Sequence, residues 1–196
     1  GVRGWARSSD HRRLVVVASA WQHVAAPLAA DPLALKCAAA ATAVVWLKTS
    51  FIVLKQAQQR FSAGMRPPED QSVATAGSAV IPVSGEQALV PDYSRDEKDP
   101  QKLEAIEKEA RLARLWQNDS ENNAFAIPLM WLGALGLASR PSAHAFLCIA
   151  YALGRVAHTI IYYHEGPSEA RGVAFFTGFS CTAAMLLNVC IGSLTA

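Results

Sequence analysis

The sequence predicts an all-α integral membrane protein, a bundle of four spanning helices, and three observations point there. The first is composition: of 196 residues, 52% are hydrophobic and 17% charged, against roughly 25% charged in an ordinary soluble domain, and the mean hydropathy is +0.17. The second is the segregation of charge. Between Asn122 and Ala196 the only charged residues are Arg140, Arg155, Glu165, Glu169 and Arg171, whereas Arg60 to Glu121 holds 8 basic and 12 acidic residues. The third is length: four apolar stretches approach or exceed the ~20 residues a helix needs to cross hydrocarbon, where only internally hydrogen-bonded backbone is tolerated.

The chain divides into an N-terminal extension, residues 1–31, and a four-helix membrane domain, residues 32–196, with a long loop at about 62–95. The extension opens on Gly1, as expected of a fragment or a processed form. Its Arg12-Arg13 followed by apolar Leu14 to Ala30 resembles a targeting remnant, although Gln22, His23 and Pro27 spoil it as a span. Leu33 to Leu54 is the first spanning helix and the weakest of the four, because Lys36 and Lys48 must snorkel or face the bundle. A helical extension through Gln56 to Phe61 follows, then the Pro67-Pro68 break and a stretch from Gln71 to Tyr93 without a helical stripe. Asp96 to Trp116 reads as a charged helix, with Glu104 and Lys108 paired at i,i+4, that runs on into the second span, Asn122 to Ser139. Ser142 to Tyr163 is the third span and Gly172 to Ala196 the fourth. Arg140-Pro141 and Gly166-Pro167 mark tight turns that make helices two to four antiparallel neighbours.

Several functions are excluded. A net charge of +2 gives no field suited to nucleic acid. Cys37, Cys148, Cys181 and Cys190 sit in apolar stretches without metal-ligand spacing and read as small hydrophobes. The chain has no G-x-G-x-x-G, P-loop or G-x-S-x-G motif.

Polar residues at membrane depth are expensive, so their positions carry the functional information. Arg155, His158 and Tyr162, spaced i, i+3, i+7, share one face of the third helix, and Arg111, Arg114, Asn118 and Glu121 follow similar spacing on the second. Alternate threading of four spans brings Arg114, Asn118, Glu121, His158, Tyr162 and Arg171 to one membrane level, with Arg155 about a turn deeper. The bland alternative is that Arg155 merely pairs with Glu121 to hold the bundle. As a cluster, these residues suit a small, multiply charged anionic ligand whose carboxylates the guanidinium groups can fork.

Two of these stretches, Gly154-Arg155-Val156-Ala157-His158-Thr159 with Tyr162, and Arg111-x-x-Arg114-x-x-x-Asn118-Asp119-x-Glu121, carry a resemblance. With Pro68-Glu69-Asp70 they resemble the membrane-associated proteins in eicosanoid and glutathione metabolism, the MAPEG family, and within it the branch of microsomal glutathione transferase and prostaglandin E synthase. The resemblance covers roughly Leu33 to Ala196. It implies a homotrimer in the endoplasmic reticulum or another internal membrane, with glutathione held between neighbouring subunits. It also implies that Arg60, Arg114, Gln117, Asn118, Glu121, Arg155, His158, Tyr162, Arg171 and Phe175 surround the tripeptide, with Arg171 and Asp70 as catalytic residues and Arg171 stabilising the thiolate. Three positions depart from the family pattern: Gln117 replaces a basic residue, Gly172 a serine, and Phe175 an aromatic hydroxyl. Those losses weigh against prostaglandin synthesis and leave the glutathione framework standing.

The reading reached is a membrane glutathione-dependent transferase or peroxidase acting on lipophilic electrophiles or lipid hydroperoxides. A nearby guanidinium favours the ionised thiol, which is the nucleophile, and the bilayer supplies the lipophilic acceptor. The rivals from other classes are a non-catalytic lipid-binding or scaffold protein that keeps the fold, and a small transporter using Arg155 and His158.

Overall fold

A computed structural model describes residues 30–65 and 98–195. The N-terminal extension and nearly all of the long loop, Asp70 included, lie outside the described residues. Four helices account for most of the rest: α1 (Pro32–Ser62), α2 (Pro100–Leu132), α3 (Pro141–Tyr163) and α4 (Ser168–Thr195), with a π-helical turn at Gly133–Leu137 between α2 and α3.

Local chemistry sets the helix ends. Asp31 accepts from the Ala34 N–H at 2.7 Å and Asp99 from the Gln101 N–H at 2.9 Å, each just ahead of a proline in the first turn, where the missing N–H costs nothing. At the far end of α2, Gly136 adopts φ 112°, open only to glycine, and breaks the helix after the π-turn. Asn188 of α4 then clamps the link, donating to the Arg140 carbonyl at 3.1 Å and accepting from the Arg140 N–H at 2.9 Å.

Three of the helices, α1, α3 and α4, are long and apolar enough to cross a membrane. That reverses the expected ranking: α1 qualifies and α2 does not. The reason is that the helical part of α2 carries Asp119, Glu121, Asn122 and Asn123, and its apolar end passes into the π-turn. With 31 and 33 residues, α1 and α2 run to ~46–50 Å at 1.5 Å per residue, well beyond a ~30 Å hydrocarbon core. The excess is the end of α1 and the charged start of α2, which lie together.

The helices form one bundle in which α1 packs on α2 and α3, and α4 on α3 and α2. Helices α2 and α3, expected as direct neighbours, instead face each other across the diagonal, and long polar side chains span the gap. The core is built of small residues, Ala34, Ala38, Ala41, Ala126, Ala145 and Ala152 among them, which allow close approach of the backbones. Large apolar side chains point outward instead, including Trp46, Leu54, Phe125, Phe146, Leu153 and Phe176. That inside-out distribution suits a bilayer, where apolar surface need not be hidden.

Candidate functional site

Asp119 is wholly buried at the centre of the bundle, between Lys48 of α1 and Arg155 of α3. Arg155 Nη2 donates to Asp119 Oδ1 at 2.5 Å and to Asn118 Oδ1 at 2.6 Å, and Lys48 also donates to Thr159 Oγ1 at 3.3 Å. One turn deeper, the Tyr151 hydroxyl donates to Asn123 Oδ1 at 2.8 Å. Two cations against one carboxylate leave the network with a positive excess. The Nε and Nη1 groups of Arg155 have no hydrogen-bond partner among the described residues.

Toward the charged end, a second buried carboxylate, Glu109, accepts from Gln56 at 3.0 Å and from Arg60 at 2.9 Å. Farther out on α2, Lys108 donates to Glu104 at 2.5 Å. The hydrogen bond and charge of Lys108 hold the Glu104 carboxyl below its ordinary range, and Glu104 raises Lys108 in return.

Beyond the central network, a polar cleft of about 490 Å³ opens between α2, α3 and α4, with Glu107, Arg111, Arg114, Tyr162 and Arg171 in its walls. The Arg171 guanidinium lies 5.1 Å from the Tyr162 ring centroid, a cation–π contact that fixes its direction. Beneath Tyr162, His158 is buried against it and against Phe175, with ring centroids 5.8 and 6.3 Å apart. Phe175 lies one turn along α4 from Arg171, and it also lines a second space, an apolar groove of about 610 Å³ between α2 and α4. Phe125, Pro128, Phe179 and Leu186 wall that groove, and Glu121 stands at its polar end.

The single expected cluster is therefore divided. Arg114, Tyr162 and Arg171 share the cleft, with His158 and Phe175 directly below. Asn118 and Arg155 belong to the buried network, so Arg155 pairs with Asp119 and not with Glu121. Glu121 accepts from Gln117 at 3.1 Å, both exposed, and faces the groove. Arg114 and Glu121 do share a helix face, but seven residues separate them by ~10 Å along the axis, which places one above the other. Arg60 lies apart from the cleft, half-exposed on Glu109.

Glu109 and Asp119 went unassigned at the sequence level, although a signal was present. The buried positions of α2 run Ala105, Ile106, Glu109, Leu112, Leu115, Asp119, Ala126 and Met130. Two acids thus occupy steps of an otherwise apolar stripe, which requires a cation from another helix.

Residues 37–191 match the family model of the MAPEG family. Among curated proteins, none matches the chain.

Proposed function

Since the chain belongs to the MAPEG family and carries three helices fit to cross a membrane, we propose that it is an integral membrane glutathione-dependent transferase or peroxidase acting on lipophilic electrophiles or lipid hydroperoxides. One observation carries the reading: a cleft walled by Arg111, Arg114 and Arg171 adjoins an apolar groove, with Phe175 between them. The cleft suits a hydrophilic, doubly carboxylated tripeptide, and the groove suits a hydrocarbon-borne partner entering from the bilayer.

The donor set fits glutathione. Guanidinium groups bind carboxylates through two parallel hydrogen bonds, and three face one cleft here. The unpaired Nε and Nη1 of buried Arg155 add donor capacity nearby. Glutathione supplies the thiol, and Arg171 stabilises its ionised form by placing a fixed positive charge beside it. Tyr162 holds Arg171 in place through the ring face. His158 and Phe175 form the floor that separates the polar cleft from the groove and so excludes water from the acceptor's side. Gln117 and Glu121, exposed on the isolated chain, lie where a neighbouring subunit of a homotrimer would cover them, and Arg60 and Asp70 would then reach the site from the adjacent copy.

The test is a pH titration of thiolate absorbance in the glutathione complex. Arg171→Ala should retain most glutathione binding yet raise the thiol pKa by one to two units, at about 1.4 kcal/mol per unit, with turnover falling in step. Arg171→Lys should recover part of both, since an ammonium restores charge but not the planar fork. An unchanged titration with undiminished rates in Arg171→Ala would refute the assignment.

A further inference from the structure

A second cleft, of about 280 Å³, lies on the other side of Arg111 from the proposed glutathione site, and its walls come from α1, α2 and the end of α3. Lys55, Lys108 and Arg111 line it together with Gln58, Tyr163 and Glu165, so three cations face one carboxylate. We propose that this cleft binds the phosphate-bearing headgroup of an anionic phospholipid.

Its height in the molecule supports a lipid over a soluble anion. Phe51 and Leu54, 48% and 66% exposed, belong to the outward apolar face of α1 and directly precede Lys55. Tyr163 meets Phe51 edge-on with ring centroids 6.1 Å apart, an aromatic pair of the kind that marks the boundary between hydrocarbon and headgroups. The Lys55 ammonium lies 5.8 Å from the Phe51 ring centroid, its stem along the apolar face and its charge at the cleft. A lipid whose chains lie against Phe51 and Leu54 thus carries its phosphate to the level of the three cations. Basic pockets between transmembrane helices are suited to such headgroups.

Charge sets the selectivity. Arg111 is engaged by Glu165 at 3.1 Å and Lys108 by Glu104 at 2.5 Å, so an incoming group competes with carboxylates for two of the three cations. A headgroup with net negative charge gains from the remaining positive field. A choline headgroup brings its own cation into that field and does not.

Native mass spectrometry of the purified full chain, offered equal phosphatidylserine and phosphatidylcholine, tests the proposal. Phosphatidylserine should be retained preferentially, and the preference should fall about five-fold for each cation removed in Lys55→Gln and Lys108→Gln. Both side chains are exposed, so the variants should keep the parent circular dichroism, and Lys102→Gln on the same membrane side should leave the preference intact. An excess of inorganic phosphate should not displace the lipid. Equal retention of both lipids, an undiminished preference in the double variant, an equal loss in Lys102→Gln, or displacement by inorganic phosphate would each overturn the lipid assignment.

Discussion

Asp119 shows how one side chain can decide whether two helices tolerate each other in an apolar interior. It is fully buried, as is Arg155, and Lys48 is nearly so. Removing one member of such a group leaves uncompensated charge, at a cost of about 3–5 kcal/mol. Asp119→Ala should therefore lower the thermal midpoint in detergent sharply, while Lys48→Met should cost much less, because Arg155 still balances Asp119. Equal midpoints for Asp119→Ala and the parent would show that the network contributes no stability. The candidate cleft was partly legible at this scale: Arg114, Tyr162 and Arg171 could be placed together because helical spacing and alternate threading fix face and level. The partners of Asp119 and Glu109 were not legible, since spacing along one helix says nothing about which cation a second helix presents.

Helices α1, α3 and α4 were legible from hydropathy and flanking prolines, to within a few residues at each end. The status of α2 was not, because an apolar stretch and a helix are different things: Asn122 to Ser139 lacks charge, yet its last third is a π-turn and a bend. The same region explains a difference among glycines. A Cβ on Gly192 of α4 would come within 2.1 Å of the Leu137 carbonyl oxygen, whereas a Cβ on Gly172 meets nothing within 4 Å. Gly192→Ala should cost about 1–3 kcal/mol by forcing α4 away from the link, and thermal unfolding beside Gly172→Ala would reveal it. Gly172→Ser, which restores the hydroxyl of the related prostaglandin enzyme beside Arg171, should be accommodated without loss of midpoint. A large loss there would mean that the start of α4 packs more tightly than the open space implies.

Taken whole, the molecule hides its charges and displays its hydrocarbon, and only Gln117 and Glu121 break that pattern midway along α2. If a homotrimer covers them, light scattering should give three chains per detergent particle, and Glu121→Lys should dissociate it. An active monomer would contradict the shared site. The diagonal pairing of α2 has a further consequence for the order in which the chain is made. A helix bearing Asp119 and Glu121 is a poor substrate for insertion by itself, since each acid near mid-membrane costs about 2.5–3.5 kcal/mol on the insertion scale. Lys48 is synthesised before α2, but Arg155 comes after it. In a glycosylation reporter assay, α2 alone should fail to integrate, α1 with α2 should integrate incompletely, and only a chain extended through α3 should lodge α2 stably. Ribosomes must then deliver the second crossing to the membrane before its last counter-charge has left the exit tunnel, which makes biogenesis of this protein a waiting step rather than a simple succession of spans.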